Sequence, residues 1–165
     1  MKSALNACLL ALLGLTFLTA HAADTLDLDR LATCQESWQA WKTDQARMSS
    51  MGQSLNADYA RKDADDGPYF APKGAKTLLG MPVVQLYPAS VGMGVGFSVV
   101  VGSGFEAGRA SVEKAVGKPL KQCESSDGMK SCELELGPQK TVVIMAADKG
   151  GTRKTLVGCM YYYAK

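Results

Sequence analysis

Apolar residues fall at every second position from 95 to 101, in the segment VGFSVVV. This period of two predicts a half-buried β-strand. Ser103 and Glu106, which follow it, have the spacing of a capping box at the N-terminus of a helix. Apolar positions then recur at helical spacing until Gly117 and Pro119, residue types that end a helix. The segment therefore predicts a strand, a tight turn and one amphipathic helix.

The turn before this helix is rich in glycine. Gly102, Gly104 and Gly108 superficially resemble the fingerprint of dinucleotide-binding domains. That site needs a parallel strand–helix–strand unit and an acidic residue at the end of the next strand. Here the chain beyond the helix turns back through hairpins, and a capped helix already accounts for the glycines. The sequence therefore predicts no cofactor.

The segment from Asp27 to Ala60 has apolar residues at helical spacing on one face. These residues are Leu31, Cys34, Trp38, Trp41, Met48, Leu55 and Tyr59. Asp27 and Asp29 suit the positive end of a helix, and Gly52 is a point at which the helix could divide in two. The pattern predicts one long N-terminal helix, with both tryptophans in the core.

Four segments after Leu120 have strand patterns and are separated by short turns: 121–124, 130–136, 141–147 and 155–163. Such a succession favours an antiparallel meander. The last two segments are apolar on both faces, so that part of the sheet is covered twice or leaves an apolar patch for a partner. The predicted fold is α+β: a long N-terminal helix and one shorter helix packed on a mainly antiparallel sheet of about five to six strands, with two disulfides.

Residues 1–22 have the three parts of a secretory signal peptide: a charged start, a short apolar run and the A-x-A site that ends at Ala22. Residues 23–165 then form a single domain. No later segment is long and apolar enough to cross a bilayer. We therefore expect an exported bacterial protein, located in the periplasm or secreted.

One of the five cysteines lies in the predicted signal peptide, and the other four predict two disulfides in an oxidising compartment. The Asp-Gly pair that begins at Asp127 favours a two-residue hairpin turn. Counting outward from this turn places Cys123 opposite Cys132, in a pair whose Cα atoms lie roughly 4.5 Å apart. Cys34 and Cys159 pair by elimination. A metal site of four thiolates is disfavoured, because the chain has no C-x-x-C pair.

Catalytic groups are scarce in the predicted mature chain. The one histidine of the full chain, His21, lies in the predicted signal peptide, which excludes Ser-His and Cys-His pairs and histidine metal sites from the mature chain. Ser111 and Lys114 match the S-x-x-K motif of penicillin-recognising enzymes, but the S-D-N and K-T-G elements are absent. The net charge of +2 gives no basic face for nucleic acid. The sequence therefore favours a protein that is not an enzyme and does not bind nucleic acid. An enzyme that uses only carboxylates or lysine is the alternative.

The segment 62–76 has turn composition, with two prolines, two glycines and a group of acidic residues. Its acidic residues depart from the spacing of the known calcium loop, so no metal site is predicted. Tyr69 and Phe70 are aromatic residues in this polar segment, which either pin it to the core or present a contact surface. Together with Asp65 and Asp66 they are the candidate contact residues.

These features favour a non-catalytic protein that binds a protein partner in the cell envelope, such as a periplasmic inhibitor or an immunity-type factor. A small sheet held by two disulfides is rigid and loses little entropy on binding. The alternative is a carrier of a small apolar ligand or lipid, with Trp38, Trp41, Phe97 and the tyrosines lining a cavity. The sequence leaves the partner and the oligomeric state open.

Overall fold

The computed structural model describes residues 26–65, 67–88, 90–91, 94–147 and 154–161, so the predicted signal peptide lies outside the described residues. The described residues form four helices and ten strands. The helices are α1 (Leu28–Ala32), α2 (Trp38–Thr43), α3 (Gln45–Asp58) and α4 (Phe105–Val116). The strands are β1 (Tyr59–Lys62), β2 (Tyr69–Pro72), β3 (Thr77–Leu78), β4 (Met81–Tyr87), β5 (Ser90–Val91), β6 (Gly94–Val101), β7 (Gln122–Ser126), β8 (Met129–Gly137), β9 (Lys140–Ala147) and β10 (Thr155–Tyr161).

The strands form one antiparallel sheet in the order β1-β2-β4-β6-β10-β9-β8-β7. Beside this path, β5 pairs with β6 and β3 pairs with β4. The predicted C-terminal meander is present as β7 to β10, each strand pairing with the next. The central strands β6 and β10 join this meander to the strands of the N-terminal half, with Phe97 opposite Cys159.

Helices cover one face of the sheet, here called the inner face, to which Cys159 and Phe97 point. α4 packs on this face across β9 and β10. Gly108 allows the helix to come close, because a Cβ at this position would lie 3.1 Å from Cδ1 of Ile144 and 3.2 Å from Cγ2 of Thr155. A larger residue here would push α4 away from the sheet.

The first two helices cover the other half of the inner face. Cys34, just after α1, is bonded to Cys159 of β10. The ring of Trp38, at the start of α2, lies 5.8 Å from that of Phe97 in β6. Between helices and sheet lies an apolar core that includes Leu31, Trp41, Leu55, Leu78, Leu86, Val101, Val112, Val142, Ile144 and Val157.

The prediction of one long N-terminal helix is wrong, because the segment 27–60 forms three helices and begins β1. Thr33 ends α1, and Cys34 has a φ of 59°, which a right-handed helix cannot contain. Ser37 then caps α2 with its side-chain oxygen. Asp44 ends α2 and caps α3, its carboxylate accepting two backbone N–H groups. Each break therefore comes from a capping residue or from the left-handed residue of the disulfide.

Most of the apolar stripe of this segment is nevertheless buried, because each short helix keeps its apolar side toward the core. Met48 is the exception, with 39% of its surface exposed. Gly52 lies inside α3 and does not divide it.

The sheet is also larger than the predicted five to six strands. Four of its strands, β1, β2, β3 and β5, are only two to four residues long, too short to show a period-two pattern. β2 lies within the segment 62–76, whose composition predicts a loop, and β1 lies at the end of the predicted long helix. The α+β class and the two disulfides are seen.

The predicted helix after β6 is present as α4, but the predicted capping box is wrong. The N-cap is Gly104, without a side-chain hydrogen bond. The carbonyl of Ser103 instead accepts the hydroxyl of Thr155 at 2.7 Å, which fixes Ser103 in the turn before the helix. Gly117, with a φ of 68°, ends the helix as predicted.

A hydrogen-bonded clamp ties the end of α4 to the chain that leads into β7. The Glu113 carboxylate accepts the Arg109 Nε–H and the Leu120 backbone N–H, both at 2.9 Å. The Arg109 guanidinium also donates to the Leu120 carbonyl at 3.2 Å. The Arg109 hydrogen bond, followed by that from Leu120, holds the pKa of Glu113 below its usual value of 4.5.

The two disulfides join the cysteine pairs expected from the sequence. Cys34 and Cys159 have Cα atoms 5.0 Å apart, and Cys123 and Cys132 have Cα atoms 4.0 Å apart in the β7–β8 hairpin. Asp127 and the following glycine have φ values of 50° and 74°, as a type I′ turn requires. The disulfides are compatible with an oxidising extracellular or periplasmic location. Within the described ranges, no helix has the length and apolar character needed to span a membrane.

Candidate binding surface on the sheet

The face of the sheet opposite the helices, here called the outer face, is apolar at its centre. Because side chains alternate along a strand, β6, β9 and β10 each place on it the residues between those of the inner face. These residues are Gly96, Ser98 and Val100, Thr141, Val143 and Met145, and Leu156, Gly158 and Met160. Val143, Met160 and Val100 are only 4%, 7% and 8% exposed, whereas Leu156 and Met145 are half-buried.

The helices described above make their core contacts on the inner face, through Cys34, Trp38 and Gly108. An antiparallel sheet with one free face normally alternates apolar and polar residues. The central strands do not, since valine, leucine and methionine occupy the outer positions as well. Because Val100, Val143 and Met160 are themselves buried, the part of this face that solvent reaches is its margin, at Met145 and Leu156.

A notch of small residues accommodates Met160 on the outer face. A Cβ at Gly96 would collide with the Cys159 carbonyl oxygen and would lie 2.9 Å from the Met160 sulfur. A Cβ at Gly158 would collide with Oγ of Ser98. The Ser98 hydroxyl lies 3.8 Å from the Met160 sulfur. The thioether therefore fills the notch, and the small residues are explained by packing within the sheet.

β2 separates the two aromatic candidate residues onto opposite faces. Phe70 is opposite Leu86 of β4 and packs against the core. Tyr69 points to the outer face, where its ring lies 6.1 Å from that of Tyr87. Tyr87 is opposite Ser98. The two tyrosines therefore border the apolar centre on the side of β4 and β2.

The acidic candidate residue Asp65 lies in the turn before β2. Asp65 is exposed, and Asp66 lies outside the described residues. Asp63, which precedes them, is 3.6 Å from the Arg61 guanidinium in an exposed ion pair.

Three carboxylates border the apolar centre on the opposite side. Glu133 and Glu135 of β8 are opposite Val143 and Thr141 of β9, so both point to the outer face. Glu124 of β7 has the same orientation. Among the residues that the structure describes, none provides a salt bridge or hydrogen bond for these carboxylates. On the outer face, the two tyrosines therefore lie on one side of the apolar centre, and three carboxylates without a described cationic partner lie on the other side.

A cleft of about 510 Å³ lies between α1, α3 and β3. Its lining includes Asp27, Asp29, Ser54, Asp58, Tyr59, Lys76 and Thr77. Asp58 pairs with Lys76 at 3.0 Å, and Asp29 accepts the Leu79 N–H at 2.8 Å. Burial, and then the charge of Asp58, raise the pKa of Tyr59 above its usual 10.0. Asp58 and Asp29 are therefore engaged in contacts within the fold.

A second cleft, of about 520 Å³, lies beside α2 and is lined by Arg30, Gln35, Glu36, Ser37, Trp41 and Arg47. Its side chains contact one another: the Trp41 indole N–H donates to the Glu36 carboxylate at 2.6 Å. The Arg47 guanidinium lies 3.7 Å from the same carboxylate and 5.9 Å from the centre of the Trp41 ring. This network fixes α2 against α3.

Neither cleft is lined by Trp38 or Phe97, which contact each other in the core. Trp41 reaches the second cleft, but that cleft is polar. The two clefts therefore do not favour a carrier of an apolar ligand, and that hypothesis stays a prediction. Within the described ranges, no group of three or more histidine, cysteine, aspartate or glutamate side chains could hold a metal ion.

Most residues of the outer face could not be singled out as site residues from the sequence. The signal that could find them is the apolar character of both faces in 141–147 and 155–163. That signal identifies the strands but not the side on which the helices lie. Tyr87 has no such signal, because its position relative to Tyr69 depends on the pairing of β2 with β4.

Comparisons with protein-family models, with curated proteins and with solved structures found no match. The surface itself is therefore the basis for assigning a function.

Proposed function

We propose that this protein is a non-catalytic binder of another protein in an oxidising compartment outside the cytoplasm, and that the outer face is its binding surface. The observation that carries the proposal is the row of apolar residues on β6, β10 and β9, on the side of the sheet away from the described helices. A periplasmic inhibitor or an immunity-type factor would use such a surface to cover part of its target.

Three of the four residues at the edge of the apolar centre are of types that are enriched at protein interfaces. Leu156 and Met145 are half-buried, and so are Tyr69 and Tyr87. Tyrosine and methionine are enriched at interfaces, and energetic hot spots lie where apolar side chains become fully desolvated. A partner that covers these four side chains would remove them from water together.

The sheet is a rigid frame for this surface. The Cys34–Cys159 disulfide fixes β10 at the centre of the sheet, and the Cys123–Cys132 disulfide fixes the β7–β8 hairpin at its edge. A surface that is already ordered loses little conformational entropy when it binds.

The proposal is tested by affinity capture from envelope extracts with the purified chain, with Leu156→Arg and with Met145→Arg. Ala110→Arg is the matched control, because Ala110 is exposed on α4, on the helix side of the sheet. We expect one protein to be retained in stoichiometric amount by the original chain and by the control. Each outer-face variant should weaken its binding by about thirtyfold, the effect of losing a hot spot.

Far-UV circular dichroism and urea unfolding of each variant separate loss of binding from loss of folding. Equal retention of the partner by the folded outer-face variants would place the binding surface elsewhere. Absence of any stoichiometric partner for the original chain would count against a protein-binding function.

A further inference from the structure

We propose that the outer face selects a partner whose apolar contact surface is bordered by lysine or arginine side chains. This inference rests on the proposed function and names the chemistry of the protein that the face would bind. It comes from the three carboxylates of β7 and β8, which lie beside the apolar centre and have no cationic partner among the described residues.

The carboxylates are close enough to the apolar centre to act on the same partner. Glu133 is directly opposite Val143 across the β8–β9 pair, and neighbouring strands lie about 4.8 Å apart. Glu135 occupies the same position beside Thr141. A segment that covers the centre would therefore extend over both carboxylates.

The outer face binds most favourably to a partner whose contact surface has cationic side chains at its border. Bringing a neutral or acidic surface against the carboxylates would remove them from water without compensation, which costs free energy. A lysine or arginine placed there restores an ion pair at the rim, and it also speeds the encounter at low ionic strength.

A second copy of the chain fits this face less well. The flank opposite the carboxylates carries the two tyrosines, and Lys62 of β1 is the one cation that the described strands place there on the outer side. Three carboxylates would thus meet a single lysine. A membrane with anionic lipids would meet repulsion from the same carboxylates.

Two synthetic 18-residue helical peptides provide the test. Both carry the same leucine stripe, and one has lysine at its polar positions where the other has glutamate. Binding to the full oxidised chain is measured by fluorescence anisotropy at 10 mM and at 500 mM ionic strength. We expect the lysine peptide to bind about tenfold more tightly at low ionic strength, and most of this preference to disappear at high ionic strength.

Glu133→Gln/Glu135→Gln should weaken binding of the lysine peptide by about fivefold, from two rim ion pairs. Glu106→Gln/Asp63→Asn is the control for net charge: it removes two negative charges at exposed residues outside the strands, and it should leave the affinity unchanged. Equal loss in both double variants would overturn the inference, because it would reflect net charge and not position.

The other possible outcomes of these binding experiments also test the inference. Equal binding of the two peptides would overturn the selection of cations but would leave the outer face as an apolar binding surface. Binding of neither peptide would overturn the inference, while affinity capture with Leu156→Arg would still decide the proposed function. Binding to anionic vesicles in preference to the lysine peptide would overturn it in favour of a membrane. A dimer in sedimentation equilibrium that excludes the peptide would overturn it in favour of a second copy.

Discussion

Replacing both Cys34 and Cys159 by alanine is expected to lower the free energy of unfolding by about 5 kcal/mol. The disulfide closes a loop with a sequence separation of 125 residues, and the loop-entropy relation gives about 5 kcal/mol for that length. The same relation gives about 2.6 kcal/mol for Cys123–Cys132, whose separation is 9 residues. The quantity to measure is therefore the difference in the free energy of unfolding between the double alanine variant of Cys34 and Cys159 and that of Cys123 and Cys132.

The fold should survive this loss, because hydrogen bonds hold the same junction. The Trp38 backbone N–H donates to the Tyr161 hydroxyl oxygen at 3.1 Å, and that hydroxyl donates to the Glu36 carbonyl at 3.4 Å. Lys140 donates from Nζ to the Cys34 carbonyl at 3.3 Å. Since small domains have about 5–15 kcal/mol of stability in total, the variant should be native-like but close to its limit.

Urea unfolding followed by tryptophan fluorescence provides the assay, since Trp38 and Trp41 are both buried. The original chain, Cys34→Ala/Cys159→Ala and Cys123→Ala/Cys132→Ala are compared, with an osmolyte added equally to all three if the first variant is partly unfolded. We expect the first variant to lose about 2.4 kcal/mol more than the second. An equal or larger loss for the hairpin pair would refute the reasoning that the long-range disulfide is the main covalent constraint.

The remaining predictions concern Gly96 in the sheet, Gly52 in α3 and the α4 clamp. Gly96→Ala should cost about 1–3 kcal/mol in urea unfolding, because its Cβ would collide with the Cys159 carbonyl. Gly52→Ala, inside α3 with open space around the Cβ, should instead raise the free energy of unfolding by about 0.5–1 kcal/mol. If Gly96→Ala also stabilised the protein, that result would contradict the packing described for β6. Glu113→Gln should lower stability by about 1 kcal/mol at pH 7. Because the folded pKa of Glu113 lies below 4.5, the stability that its carboxylate contributes is complete above pH 4.5 and is lost as the pH falls through the folded pKa. The unfolding curves of the original chain and of Glu113→Gln should therefore converge in acid. A difference in stability that stays constant with pH would contradict the clamp.

The C-terminal half of the fold could be predicted from the sequence because its signals are local. The turn at Asp127 sets the register of the β7–β8 hairpin, and that register places Cys123 opposite Cys132. Period-two patterns then define the following strands. The second disulfide follows by elimination once the first is assigned.

The N-terminal half could not be predicted in the same way. Its helical stripe is real, but Ser37 and Asp44 within it cap new helices. The left-handed conformation of Cys34 accompanies a bond to a residue 125 positions away. A short stretch of sequence does not contain this long-range bond. The helical periodicity alone therefore predicts a single helix where the structure has α1, α2 and α3.

The candidate surface was accessible to sequence reasoning only in part. The apolar character of both faces in the last two strands predicts either a second covering layer or a patch for a partner. Tyr69 and Phe70, adjacent in sequence, lie on opposite faces because they belong to a strand. The acidic border depends on the β8–β9 register, which places Glu133 beside Val143.

Site-specific photo-crosslinking in living cells tests the central claim most directly. A photo-reactive amino acid is introduced at Leu156, at Met145 and, as a control on the helix side, at Ala110. The outer-face account predicts one discrete protein adduct from Leu156 and Met145 and none from Ala110. An adduct from Ala110 alone, or no adduct from any of the three positions, would contradict it.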